Sequence, residues 1–174
     1  MNKIIILVVA IFFITTSYIN FFPEANANER QITYQGDGLI CRLINRMRKQ
    51  YMLRCSVEQD NPEHLSAADL VESGKINFSF ISDPTILTAH KNIRAVLKYP
   101  YNGDGIIIAS ETEDEHTVYD FVKIISESYD LYEEAGKGFY GTGYMAKKTE
   151  MPQVRGMPLH KGAEKFYKEF DLIK

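Results

Sequence analysis

The chain has 174 residues, of which 45% are hydrophobic and 25% charged, and its formal net charge is −3 at neutral pH. This composition is close to the globular average and excludes wholesale disorder, and a chain without a basic field is a poor partner for nucleic acid. The length suits one domain with a short extension.

The first 27 residues differ in composition from the rest. An apolar core from Ile4 to Phe13 is followed by Ala25-Asn26-Ala27, which places small residues at the −3 and −1 positions of a signal peptidase site. The core is about half of the roughly 20 residues that a transmembrane helix needs, so a retained anchor is the weaker alternative. The sequence predicts a signal peptide over 1–27, cleavage near Ala27, and one exported domain over 28–174, periplasmic or secreted.

Hydrophobic spacing predicts five strands and four helices in the mature chain. In chain order they are a strand over Gln31–Tyr34, a helix over Leu39–Gln50, a strand over Met52–Val57, a helix from Asn61 to Ser73, strands over Ile76–Ile81, Ile93–Tyr99 and Gly105–Ala109, a helix from a capping box at Thr112 to near Ala135, and a helix over Ala163–Phe170.

The alternation of strands and helices in the first half predicts parallel strands with right-handed crossovers. The last two strands are joined across Asn102-Gly103-Asp104, a turn sequence that favours an antiparallel pair. We therefore expect an α/β fold with a single mixed, mostly parallel sheet flanked by helices. The basic residues of the first helix, Arg42 to Lys49, are expected to form a solvated face.

Both cysteines lie in the first crossover unit, Cys41 on the helix and Cys55 on the following strand. A disulfide between them would close a loop of about 15 residues and stabilise the fold by about 3 kcal/mol. On the helical wheel Cys41 lies at the edge of the apolar face, so two half-buried free thiols are the alternative.

Ligands of parallel α/β sheets bind at the carboxyl ends of the strands, where helix N-termini present free amides. In this chain those ends are expected at Tyr34–Gly38, Glu58–Asn61 and Ser82-Asp83. The candidate ligand-binding residues are Tyr34, Gly36, Gly38, Gln59, Asn61, Ser82 and Asp83.

The sequence contains no motif typical of an enzyme or a metal site. The histidines His64, His90, His116 and His160 are scattered and are interpreted as caps or surface residues, with no ligand spacing among them. There is no Gly-x-Ser-x-Gly nucleophile motif. No catalytic residue, metal or cofactor is predicted.

Several segments resemble the opening domain of the TAXI family, the periplasmic solute-receptor subunits of TRAP transporters. The matching segments are Gly38–Asn45, Arg48-Lys49, Arg54–Glu58, Gly74–Phe78, Ile81–Asp83 and Ile93–Val96. Near the end of the chain, Pro158–Glu169 is similar to the family's closing proline-leucine-histidine-x-glycine-alanine segment.

The resemblance implies one lobe of a type II periplasmic binding protein, a small carboxylate ligand and a TRAP-type membrane permease as partner. The family's second lobe, inserted after the strand that ends near Ala109, is missing here. The family's Ser-Thr-Gly-Gly after the second strand is replaced by Gln59–Pro62, and Asp37 and Asp60 bring negative charge to the expected anion site.

Two hypotheses follow from these features. The first is a reduced solute receptor, either alone or as a homodimer whose copies face each other across their strand ends. The second is a non-transport interaction protein that no longer binds ligand, with an exposed apolar patch near Pro100–Ile107.

Overall fold

A computed structural model of the chain describes residues 28–59, 65–83, 89–99, 105–131 and 157–174. The predicted signal peptide and its cleavage site lie outside these ranges. The strands are β1 (Arg30–Gln35), β2 (Leu53–Val57), β3 (Phe78–Ile81), β4 (Ile93–Lys98) and β5 (Ile106–Ser110). The helices are α1 (Gly38–Arg46), α2 (Arg48–Tyr51), α3 (Ala67–Glu72), α4 (Glu115–Glu127) and α5 (Lys161–Glu169).

The five strands form one sheet in the order β2-β1-β3-β5-β4. β1 pairs in parallel with both β2 and β3, and β5 pairs antiparallel with both β3 and β4. Four strands therefore run in one direction and only β5 opposes them. This confirms the predicted α/β class, the mixed and mostly parallel sheet, and the antiparallel final pair.

Helices cover both faces of the sheet. One hydrophobic cluster joins α1, α4 and α5 to the first face, where the Phe78 and Phe121 rings stack with centroids 4.1 Å apart. A smaller cluster places α3 on the second face. Alternate residues of β5 point into the two clusters, Ile107 into the first and Ile108 into the second, so this strand is buried on both sides.

The predicted helix over Leu39–Gln50 is two helices, because α1 ends at Arg46 and α2 begins at Arg48. Two tertiary contacts accompany the break: the Arg48 guanidinium is paired with the Glu29 carboxylate, and Arg30 donates to the backbone oxygen of Tyr51. The Arg48 side chain stays 41% exposed in this pair, and Arg42, Arg46 and Lys49 are exposed, in agreement with the predicted solvated face.

Two helix starts also differ from their predictions. α3 begins at Ala67, after a capping box formed by Ser66 and Asp69, and the predicted start at Asn61 lies outside the described residues. α4 begins after Asp114, whose carboxylate accepts from the Thr117 amide at 2.7 Å. The predicted N-cap, Thr112, is bonded to Ser110 instead.

The predicted end of α3 at Ser73 is confirmed, because the helix ends at Glu72, Ser73 is its C-cap and Gly74 follows. This residue has φ +71°, and its amide donates to the Val71 oxygen at 3.0 Å. The next amide, of Lys75, donates to the Leu70 oxygen at 3.0 Å. The pair of bonds is a Schellman motif, which favours glycine at the left-handed position.

Both outer edges of the sheet are bonded to other parts of the chain. At β2, the Asn45 side-chain amide of α1 accepts from the Cys55 N–H at 2.9 Å and donates to the Cys55 oxygen at 2.8 Å. At β4, the Ala95 amide donates to Pro158 and the Ala95 oxygen accepts from the His160 amide. The Tyr167 hydroxyl donates to the Val96 oxygen at the bulge of β4.

Candidate functional site

The carboxyl ends of β1 to β4 and the amino end of β5 lie at one edge of the sheet, because Ile106 pairs with both Ile81 and Lys98. We call this edge, with the residues that follow the four strands, the carboxyl edge. All of the candidate ligand-binding residues that the structure describes lie at the carboxyl edge.

The end of β1 folds closely over its own side chain. Tyr34 is wholly buried, and a Cβ on Gly36 would overlap the Tyr34 ring, with Cε1 2.7 Å away. Glycine at position 36 therefore allows the loop to turn back against the ring. The backbone oxygen of Tyr34 accepts a hydrogen bond from the Glu58 amide at 3.0 Å, which ties the end of β1 to the end of β2.

Asp37 places a carboxylate at the N-terminus of α1. Its Oδ1 accepts from the Leu39 amide at 2.9 Å, and its Oδ2 is buried without a hydrogen-bond partner among the described residues. Burial raises the pKa of Asp37, and the amides of Leu39 and Ile40 oppose this rise. The chain's own carboxylate thus lies where a helix N-terminus would hold an anionic ligand.

The remaining candidate residues lie at two levels along the strands. Gly36, Gly38 and Gln59 are exposed beside the ends of β1 and β2. Ser82 and Asp83 are also exposed, but they follow β3, which continues two residues past its last pair with β1, Gln35 with Ser79, and so projects about 7 Å beyond that pair. Asn61 lies outside the described residues.

Sequence reasoning missed an aromatic pair at the projecting end of β3. The Phe80 and Tyr99 rings have centroids 4.3 Å apart, and a Cβ on Gly105 would lie 2.9 Å from the Phe80 Cζ. Gly105 directly before β5 was the only sequence signal for this close approach. Phe80 is half-buried, and Ser82 and Asp83, two and three residues further along the chain, are exposed.

The apolar patch expected near Pro100–Ile107 is not exposed in its described part. Ile106 and Ile107 are 2% and 0% exposed, because β5 is an inner strand covered on both faces. Residues 100–104 lie outside the described ranges. The prediction was therefore wrong for the two isoleucines.

A disulfide holds α1 against β2 and confirms the predicted pairing of Cys41 with Cys55. The two Cα atoms are 4.9 Å apart. Cys55 is also the residue whose backbone is bonded by Asn45, so two independent links join α1 to the same point of β2. They fix the helix whose N-terminus reaches the carboxyl edge.

The charged clusters at the opposite edge link secondary structure elements. Arg30 pairs with Asp120 and donates to Thr117, which joins β1 to α4. Tyr51 donates to Glu127, and burial, followed by this bond, raises the pKa of Tyr51 above its usual value. Within the described ranges, no group of three histidine, cysteine or acidic side chains is placed to hold a metal.

The histidines of the described segments have structural contacts. His90 bonds to Glu72 at 2.8 Å, which links α3 to the residues before β4. His116 lies 3.5 Å from Asp120, and His160 is the N-cap of α5. His64 lies outside the described segments.

The model of the NMT1-like family, a family of periplasmic binding-protein-like proteins, matches residues 104–170. This span contains β5, α4 and α5, but not the loops after β1, β2 and β3. Comparison with curated proteins finds no match. Across the described ranges, no helix is long and apolar enough to cross a membrane.

Proposed function

We propose that this chain is an exported solute-binding protein of the TAXI type, reduced to the first of the family's two lobes. It would be periplasmic or secreted and would serve a TRAP-type permease by binding a small carboxylate at the carboxyl edge. The observation that carries the proposal is that the stretch matched by a binding-protein-like family, residues 104–170, completes a single α/β sheet with exposed strand ends.

The two levels of the carboxyl edge suggest how a small ligand would bind. The polar groups of Gln59 and the open backbone at Gly36 and Gly38 would contact one end of the ligand. Ser82 would donate to a polar group at the other end, and the Phe80 ring would contact the carbon skeleton. Such sites combine apolar walls with a few placed polar groups.

The test is thermal melting of the purified protein against a panel of small carboxylates, each compared with its neutral amide at matched ionic strength. A ligand present at about 100 times its Kd is expected to raise Tm by roughly 6–10 °C for a domain of this size. A panel in which no carboxylate raises Tm more than its amide would contradict the proposal.

Asp37→Asn tests whether the ligand's anionic group lies at the N-terminus of α1. Asparagine keeps an oxygen that can accept from the Leu39 amide but removes the charge. We expect carboxylate binding to become about fivefold tighter, since a unit charge about 4 Å away contributes on the order of 1 kcal/mol in water. Calorimetric titration measures the change.

Asp171→Asn is the matched control, since it makes the same charge change just after α5 and is expected to leave binding unchanged. Equal affinities in Asp37→Asn and the parent protein would place the anion elsewhere on the carboxyl edge.

The second candidate function is that of a non-transport interaction protein. The buried Asp37 carboxylate favours it, because the chain itself already fills the helix N-terminus at which an anion would bind. In this case the carboxyl edge would contact a protein partner or a second copy of the chain. Capture of a protein partner from envelope extracts, together with a panel in which no carboxylate raises Tm, would support this function. A gene position beside a TRAP permease gene would favour the first candidate.

A further inference from the structure

The C-terminal segment, Met157–Lys174, is attached to the fold at two places. Its first residues pair with the edge of β4, where Ala95 donates to the Pro158 oxygen at 3.0 Å and accepts from the His160 amide at 2.8 Å. The helix α5 then packs on α4 and buries Ala163, Phe166 and Tyr167. His160 stands at the junction of these two attachments.

His160 can cap α5 only while it is uncharged. The residue is 2% exposed, and its Nδ1 accepts from the Gly162 amide at 3.1 Å. A protonated Nδ1 has no lone pair to accept with, so protonation removes the cap. In the neutral form that accepts at Nδ1, the ring hydrogen is on Nε2, which is also buried, so the imidazole has little exposure to solvent at either nitrogen.

Some groups around His160 lower its pKa and others raise it. Burial is the largest effect and lowers the pKa of His160 below its usual value, and Arg94 of β4 acts in the same sense. The backbone oxygens of Glu113 and Glu111 and the Glu115 carboxylate of α4 act against it. The Arg94 guanidinium is itself paired with the Glu111 carboxylate.

We propose that His160 is an acid-sensitive latch that holds the C-terminal segment closed while its imidazole is neutral. When the imidazole takes up a proton, the cap on α5 is lost and the segment opens, which uncovers the Ala95 edge of β4. Neither the carboxyl edge nor a ligand takes part, so the inference stands apart from the proposed function.

The direction of the pH effect follows from proton linkage. An unfolded histidine has a pKa near 6.5, and the closed form of His160 has a lower one. The open segment therefore binds more protons between these two values. Closure is fully stable above about pH 6.5 and weakens as the pH falls from there towards the pKa of the closed form.

Hydrogen–deuterium exchange of the intact protein tests the latch. After correction for intrinsic exchange rates, protection of the amides in Leu159–Phe170 is expected to fall by up to about tenfold per pH unit below pH 6.5, because one proton is linked to opening. Protection of β1 and β2 is expected to stay constant. Unchanged protection of the segment between pH 7.5 and 5.5 would overturn the proposal.

His160→Asn provides the discriminating variant, since asparagine is a good N-cap that does not titrate in this range. The variant should keep the segment protected at pH 7.5 and lose the pH dependence. His90→Asn and His116→Asn are the matched controls and should retain it. A pH dependence in His160→Asn equal to that of the parent protein would refute the latch.

If His160→Asn fails to fold, titration of the parent protein followed by NMR tests the latch instead. The His160 imidazole is expected to titrate below the usual value for histidine, together with signals of α5. Titration of His160 at the ordinary value, or without any change in α5, would also refute the latch.

Discussion

Replacing Gly162 with alanine is expected to lower the free energy of unfolding by about 3 kcal/mol, at the upper end of the usual cost of overpacking. A Cβ at this position would overlap the backbone oxygen of Glu115 and lie 2.9 Å from the Tyr119 nitrogen. Both atoms belong to the backbone of α4, so the contact can be relieved only by separating α4 from α5. Urea unfolding followed by circular dichroism measures the loss, since the chain has no tryptophan.

Gly38→Ala is the matched control for this variant. Gly38 and Gly162 both lie in the first turn of a nine-residue helix, but the nearest atom to a Cβ on Gly38 is the Val57 Cγ2 at 4.0 Å. Gly38→Ala is therefore expected to be neutral or to stabilise by up to about 1 kcal/mol. Similar losses in the two variants would show that helix packing is not the cause at Gly162.

Loss of the Cys41–Cys55 disulfide is expected to reduce the free energy of unfolding by about 3 kcal/mol, since its removal frees a loop of roughly 15 residues in the unfolded chain. Cys41→Ser and Cys55→Ser should each give this loss, and the double variant should lose little more, because the same link is broken in all three. Urea unfolding under oxidising conditions gives the values.

The control is the parent protein after reduction, which should unfold at the same urea concentration as the serine variants. We expect the reduced protein to keep its fold, since Asn45 still joins α1 to Cys55 through two hydrogen bonds. A loss below about 1 kcal/mol would contradict the loop-entropy account.

The positions of the strands in the chain and their pairing directions could be predicted from local patterns. Alternating apolar residues in β2, the helix between β1 and β2, and the turn sequence before β5 are each short-range signals, and each led to a correct pairing direction. The end of α3 before Gly74 was predictable for the same reason, because glycine preference at a left-handed position is a property of a few neighbouring residues.

One error lies where a contact between residues distant in the chain accompanies a break in a helix, and another lies where neighbouring residues compete to cap a helix. The break after α1 coincides with the pairing of Arg48 with Glu29, 19 residues away in the chain. The start of α4 involves a choice among Thr112, Asp114 and their neighbours, and the Asp114 carboxylate provides the cap by accepting from both the amide and the hydroxyl of Thr117.

The candidate site was predictable in position but not in chemistry. Parallel strands place their carboxyl ends at one edge, so the residues after β1, β2 and β3 could be selected from the sequence alone. The burial of Tyr34 beneath its own loop, the offset between Gln59 and Ser82, and the Phe80–Tyr99 pair depend on strand register and side-chain packing. A single sequence carries little information about either.

The bonded edges of the sheet have a consequence for self-association. An exposed edge strand can recruit the strand of another molecule and start fibril growth. A molecule approaching β2 would first have to displace the Asn45 amide from Cys55, and one approaching β4 would meet Pro158 and His160 at Ala95. At neutral pH, copies of this protein that associate should therefore do so through helix surfaces or strand ends rather than by extending one another's sheets.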